Sequence, residues 1–152
     1  MDIAPLAVAL GDPAGIGPEI VAKAWDARLE HDLAPFFAVG DQRSIEAVWS
    51  GPIRLISSPD EAMGCFSSAL PLIQIHDTAD IVPGQPDLAG ARCALDSLEL
   101  AAGLARSPIV GGLVPVLEPG VELKPGRAAG AKSPKRAVLW ADNVSQLDGS
   151  GN

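Results

Sequence analysis

The sequence predicts an α/β fold in which a largely parallel sheet carries flanking helices. Short apolar runs alternate along the chain with amphipathic helical stretches. The runs are continuously apolar rather than alternating, as strands covered on both faces are. Gly and Pro cluster where the runs end and the next element begins. The chain has 152 residues, which suits one domain of ordinary size with a real core. No internal repeat is present.

Taken in order, Leu6–Leu10 (LAVAL) reads as a first buried strand. A turn rich in Gly and Pro follows, and then Pro18–Glu30 has helical spacing, with Ile20, Val21, Ala24, Trp25 and Leu29 on one face. Pro18 suits the first helical position and Glu19 the first turn. Phe36–Gly40 is a second strand, and Asp41 is placed to cap a helix over QRSIEAVWS, which ends near Gly51-Pro52. Ile53–Ile56 is a third short strand, and Pro59–Gly64 a turn of helix. Leu70–Ile75 is strand-like, with Pro71 indicating its start or an edge position. Residues 81–89 (IVPGQPDLA) read as a loop, Gly90–Ala105 as a long helix, and Ile109–Val114 as a last buried strand. The apolar stripe of the long helix comprises Cys93, Leu95, Leu98, Leu100, Ala101 and Leu104.

Composition narrows the function classes. Net charge is −8 with a pI near 4.5, and no basic face of the kind a nucleic-acid binder needs is visible. Aromatics make up 4% with no Tyr, so a core of Ala, Val, Leu and Ile is expected. No run approaches the roughly 18 apolar residues of a membrane span. The N-terminus lacks the basic start of a signal peptide, so a cytoplasmic location is expected. Cys65 and Cys93 have no CxxC spacing and read as separate reduced thiols.

The stretch "GDPAGIGPEI", residues 11–20, is the most informative in the chain. Gly11 ends a strand where the backbone turns sharply or a ligand approaches closely. Gly15 and Gly17 add two positions without Cβ, and Pro13 and Pro18 stiffen the loop. The turn delivers the chain to a helix N-terminus, whose amides suit a phosphate or a carboxylate. It is not a P-loop, because no Gly-Lys-Ser/Thr follows, and it is not G-x-G-x-x-G. Two readings stand at this point: a plain strand-to-helix turn, and a ligand-facing one. Asp12 reads first as a residue that orients the loop by accepting backbone N–H bonds. Glu19 complements the helix dipole and competes with any bound anion.

"GDPAGIGPEI" resembles the opening signature of the 4-hydroxythreonine-4-phosphate dehydrogenase family, related to the isocitrate and isopropylmalate dehydrogenases. AVGD (Ala38–Asp41) is similar to a strand end that recurs in that family, residues 81–105 to the segment before its central strand, and IVGGLV (Ile109–Val114) to that strand. The resemblance covers about residues 3–114. It implies one incomplete lobe of an isocitrate/isopropylmalate dehydrogenase-like fold. It further implies an NAD-linked, metal-dependent homodimer, with Zn, Mg or Co as the divalent ion. Such an enzyme oxidises the hydroxyl of 4-phosphohydroxy-L-threonine to a ketone, and the product then loses CO₂ on the way to pyridoxal phosphate. Paralogues act on other phosphorylated hydroxy acids or on diols. On this resemblance Asp12, Gly15 and Ile16 are the candidate cofactor-binding residues.

The family pattern breaks off after the last strand. A Thr-x-Pro-x-x-Lys turn and a Pro-Gly-His-Thr-Glu segment are expected there, but the chain runs into Pro115-Val116-Leu117-Glu118-Pro119-Gly120, and no His occurs after residue 76. Residues 1–114 carry 6 basic and 15 acidic side chains, whereas residues 115–152 carry 5 and 4. The division expected is therefore 1–114 as the family's N-terminal lobe and 115–152 as an unrelated or frame-shifted, poorly ordered tail, with AVLW (Ala137–Trp140) as one short strand. Lys132, Lys135 and Arg136 make a small basic patch that reads as a solvated face. His31 reads as a helix-end or solvent residue, and His76-Asp77 is too small a set for a metal site. Ser67, Ser68 and Ser97 have no His-Asp pattern near them for a hydrolase triad. No catalytic or metal-ligating residue is assigned, and the chain alone is expected to hold neither NAD nor the metal ion, to be inactive and to be prone to association. The alternatives are a non-catalytic α/β module that binds an anion, a dinucleotide or a partner chain, and a paralogue fragment for another phosphorylated hydroxy acid.

Overall fold

The computed structural model describes residues 3–75 and 80–116. Five strands and four helices alternate: β1 (Leu6–Ala9), α1 (Gly17–Asp26), β2 (Phe36–Gly40), α2 (Gln42–Glu46), β3 (Ile53–Leu55), α3 (Glu61–Cys65), β4 (Leu70–Gln74), α4 (Leu88–Leu104) and β5 (Gly112–Pro115). The strands form one sheet in the order β3-β4-β2-β1-β5, and every pairing is parallel. The chain travels one way along the sheet from β1 to β3 and returns from β3 to β5. Right-handed crossovers then require helices on both faces. The packing agrees: α1 and α2 cover one face with Val21, Ala22, Trp25 and Ile45, while α3 and α4 cover the other with Ala62, Ala101 and Ala105.

Successive strand residues divide between the two layers. Val8, Leu10, Phe36, Ala38, Leu70 and Leu72 face one, and Ala7, Ala9, Phe37 and Val39 face the other. This is why the strands read as unbroken apolar runs. Each fully buried Phe37, Leu70 or Leu72 contributes about 2 kcal/mol of hydrophobic stabilisation. Among the described aromatics Phe36, Phe37, Phe66 and Trp25 are buried and Trp49 is partly buried, which corrects the expectation of a core built from Ala, Val, Leu and Ile. Phe36 and Phe66 meet edge to face at 5.0 Å, and Trp25 and Trp49 at 5.8 Å. The Trp25 indole N–H donates to the Phe66 carbonyl at 2.9 Å, so the polar edge of this core residue is satisfied.

Several boundaries differ from expectation. Helix α1 stops at Asp26, and the turns that follow leave Leu29 82% exposed. Its buried seam is Pro18, Val21, Ala22 and Trp25, which rotates Ile20 outward to 45% exposure. Helix α2 is shorter than expected and ends at Glu46, before a turn through Val48 and Trp49. Pro71 stands at the start of β4, as one of the two sequence readings has it, in a strand that is interior to the sheet and not at its edge. Pairing of β4 with β2 begins at Ala38↔Leu72, one residue beyond Pro71, so the missing N–H removes no ladder bond on that side. Towards β3 the bonds run through Leu70 N–H to the Pro52 carbonyl and Ile56 N–H to the Leu72 carbonyl.

Helix α4 begins at Leu88, two residues earlier than expected, because the Asp87 side chain caps it by accepting from the Gly90 N–H at 2.7 Å. Its buried seam is Gly90, Cys93, Ser97 and Ala101, with Leu98 and Leu104 partly buried and Leu100 exposed. Strand β5 is displaced to Gly112–Pro115, since Ser107–Val110 forms a turn that spends Ile109 at the surface. The expected strand at 137–140 and the basic patch at Lys132, Lys135 and Arg136 lie outside the described residues.

Candidate functional site: the turn from β1 to α1

In parallel sheets with helical crossovers, ligands bind beyond the C-terminal ends of the strands. Residues 11–17 leave β1 at that end. Gly11 takes φ +75°, which L side chains rarely adopt, and a Cβ there would stand 2.7 Å from the Val116 carbonyl oxygen. A Cβ on Gly17 would stand 1.9 Å from the Leu10 carbonyl oxygen. Both positions are therefore closed by the protein's own backbone. Of the two sequence readings of Gly11, the sharp turn explains the residue and a ligand's close approach is not needed.

Asp12 organises the turn. Its Oδ1 accepts from the Ala14 N–H at 2.8 Å, and its carbonyl accepts from the Gly15 N–H at 3.0 Å. The loop-orienting role read from the sequence is what its geometry provides. Ile16 is the N-cap position of α1 and its side chain is half-exposed. The first helical bond runs from Ile20 N–H to the Ile16 carbonyl, so the amides of Gly17 and Glu19 precede the helical ladder, and Pro18 has none. Glu19 is drawn along the helix surface by Lys23, at 2.5 Å.

The segment before α4 closes over the turn. The Gly84 N–H donates to the Ala14 carbonyl at 2.7 Å, and Gly84 needs φ +79° to do so. A Cβ on Gly90 would lie 2.7 Å from Asp12 Oδ1 and 3.2 Å from Asp87 Oδ1, so Gly90 admits both carboxylates. A shallow pocket remains between Pro13 and Ala14 on one side and Asp80, Gln85 and Asp87 on the other. Its acidic wall repels anions, whereas the α1 amides attract them.

Ser97, read from the sequence only as lacking the partners of a hydrolase triad, has a bridging position that the sequence does not reveal. It is fully buried on α4. Its Oγ accepts from the Leu10 N–H at 3.1 Å and donates to the Val39 carbonyl at 2.5 Å. Leu10 N–H also donates directly to Val39, at 3.1 Å. The signal was a hydroxyl inside the seam formed by Cys93 and Ala101, which is informative only once the helix register is known.

The other candidates do not join the turn. His31 is exposed in the turns after α1, at the opposite end of that helix. His76 and Asp77 lie outside the described residues. Ser67 and Ser68 are exposed, and Ser68 Oγ donates to the Cys65 carbonyl at 3.2 Å. Cys65 and Cys93 are both reduced, outside any disulfide, and burial pushes the Cys65 thiol above its ordinary pKa. Among the described residues, no group of three or more His, Cys, Asp or Glu is placed to hold a metal ion, and no helix is long and apolar enough to cross a membrane.

No protein-family model matches the chain. Among curated relatives, 4-hydroxythreonine-4-phosphate dehydrogenase of Zymomonas mobilis is 48% identical over 110 residues, covering 72% of this chain and 33% of the relative. The enzyme of the same name from Erythrobacter litoralis is 44% identical over 115 residues, covering 72% of this chain and 34% of the relative. A crystal structure of 4-hydroxythreonine-4-phosphate dehydrogenase from Klebsiella pneumoniae superposes with a TM-score of 0.62 at 26% identity, over 74% of this chain and 37% of that one. The chain thus spans about a third of the length of the curated relatives it matches. With the parallel sheet and the β1–α1 turn in place, these matches make the chain, over roughly three quarters of its length, a partial homologue of the 4-hydroxythreonine-4-phosphate dehydrogenases.

Proposed function

We propose that this chain contributes the β1–α1 turn and its supporting sheet to a dehydrogenase that oxidises the hydroxyl of 4-phosphohydroxy-L-threonine, in pyridoxal phosphate biosynthesis. The observation that carries this reading is the 48% identity over 110 residues to a relative named for that activity. In the reaction the carbinol carbon gives up hydride, the hydroxyl gives up its proton, and a ketone forms that then loses CO₂. NAD supplies the hydride acceptor when bound.

Asp12, Gly15 and Ile16 are the residues proposed to meet that cofactor. Asp12 holds the turn in shape through the Ala14 and Gly15 amides, the amide end of α1 suits one anionic group, and the half-exposed Ile16 side chain offers an apolar contact. A divalent ion is a different matter. The chain has two His in all, and among the described residues no three His, Cys, Asp or Glu come together, so these residues do not fit a divalent-ion site. The metal-holding and substrate-holding groups of such an enzyme, and its homodimeric partner, are accordingly assigned to parts other than the described residues. From the sequence by itself the expectation is that this chain alone holds neither cofactor; with the turn held in shape by Asp12, we propose instead that the 152-residue chain binds NAD weakly and does not turn over.

The test is to incubate the purified chain with NAD, 4-phosphohydroxy-L-threonine and Zn, Mg or Co. Amide shifts of residues 12–16 on NAD addition, with no NADH formed, are the expected result. NADH formation would overturn the expectation of inactivity, and absence of any NAD-dependent shift would overturn the assignment of the turn. Light scattering on the same sample reads the proposed self-association directly.

A further inference from the structure

We propose that Ser97 is a positioning residue for the ligand turn, acting through Leu10; this rests on the reading of residues 12–16 as a cofactor contact. Leu10 is the last residue before Gly11, and three separate elements converge on it. Its carbonyl oxygen fills the space beside Gly17, at the start of α1. Its side chain fills the space beside Gly40, at the end of β2, where a Cβ would lie 2.4 Å from Cδ1. Its N–H is shared between the Val39 carbonyl and Ser97 Oγ, both at 3.1 Å.

The Ser97 hydroxyl completes this arrangement by donating to the same Val39 carbonyl at 2.5 Å. Its oxygen and its proton are thus both engaged, in a site fully closed to water. The last rung of the β1–β2 ladder therefore carries a third member supplied by α4. The same helix touches the turn again two residues beyond Leu10, where Gly90 lies against the Asp12 carboxylate. A shift of α4 along the sheet therefore moves Leu10 and Asp12 together, and Ser97 is the polar contact that sets where α4 stops.

The role is distinguishable from plain structural support by comparing two buried serines. Ser44 is also buried and its Oγ donates to the Asp41 carbonyl at 2.6 Å, on α2, which covers the face of the sheet opposite α4. On the full chain, Ser97→Ala is expected to speed exchange of the Leu10 amide by about tenfold, to shift the amides of residues 12–16, and to weaken NAD binding by about tenfold. Ser44→Ala is expected to lower the unfolding midpoint while leaving those amides and NAD affinity within about twofold of the parent. Ser97→Cys, kept reduced, retains the size and a weak hydrogen bond and is expected to fall between parent and Ser97→Ala; it decides the matter if Ser97→Ala does not fold. A folded Ser97 variant with unmoved amides at residues 12–16 overturns the proposal. If the parent chain binds no NAD, the cofactor reading fails, yet the amide shifts in the ligand-free variants still decide the role of Ser97.

Discussion

The Leu10 carbonyl oxygen stands where a side chain on Gly17 would begin, 1.9 Å from the ideal Cβ position. The end of β1 and the start of α1 are therefore packed backbone to backbone, and neither atom belongs to a flexible group that can swing aside. Gly17→Ala is expected to lower stability by about 3 kcal/mol, because the helix start must move off the strand. Gly103, in α4, has nothing within 4 Å of its Cβ position, so Gly103→Ala is expected to raise stability by about 0.5–1 kcal/mol through helix propensity alone. Urea midpoints of the two variants check both signs.

Asp41 is buried, and its Oδ1 accepts from the Arg43 N–H at 3.0 Å as the cap of α2. The Gln74 side chain reaches it from β4 at 3.4 Å and also accepts from the Gln42 N–H at 2.8 Å, tying the ends of β2 and β4 together. Asp41→Ala is expected to cost about 2 kcal/mol, and Asp41→Asn markedly less because the cap oxygen survives. The ion pair with Arg43, at 3.2 Å with the Arg side chain 40% exposed, is screened by solvent. Arg43→Ala is therefore expected to change stability by less than about 0.5 kcal/mol through loss of charge. Thermal melts at low and high salt separate the cap from the charge.

Trp25 joins α1 to the segment before β4. Its indole N–H bonds the Phe66 carbonyl, and the Arg28 guanidinium lies 3.5 Å from its ring centroid while donating to the Ser67 carbonyl at 2.6 Å. Trp25→Phe keeps much of the apolar contact but leaves the Phe66 carbonyl without this donor. A loss of about 2 kcal/mol is expected in denaturant titrations.

Cys65 is half-buried, and burial is the main reason its thiol is pushed up; Arg54 pulls the other way and Glu61 adds to the rise. A raised folded-state pKa favours the neutral thiol. The associated stability is present below the unfolded thiol's pKa and is lost as pH rises through the folded value. Alkylation of Cys65 at neutral pH is therefore expected to be slower in the folded chain than in urea, with the gap closing in alkali. Cys93, buried in the α4 seam, is expected to react only on unfolding. Mass spectrometry of timed labelling reads the two sites separately, and equal folded and unfolded rates at Cys65 would contradict the direction.

The sequence by itself determined the class of fold, the order of elements and the place of the turn. Those follow from local chemistry: unbroken apolar runs at Leu6–Leu10 and Phe36–Gly40, the Asp41 cap, and the glycines and prolines of residues 11–18. Tertiary structure decided which faces are buried and what the special residues are for. Ile20 and Leu29 fit one apolar period, yet the register of α1 on the sheet turns Ile20 outward and the helix ends at Asp26, before Leu29. Pro71 sits in a central strand only because its neighbour's pairing begins one residue later. Gly11, Gly17 and Gly90 are explained by atoms of Val116, Leu10 and Asp12, and Ser97 by Leu10 and Val39. Leu10 meets Gly17 across the local turn, whereas the other partners are brought close by the sheet order and the seating of α4, contacts between residues distant in sequence that periodicity, propensity and capping chemistry do not encode.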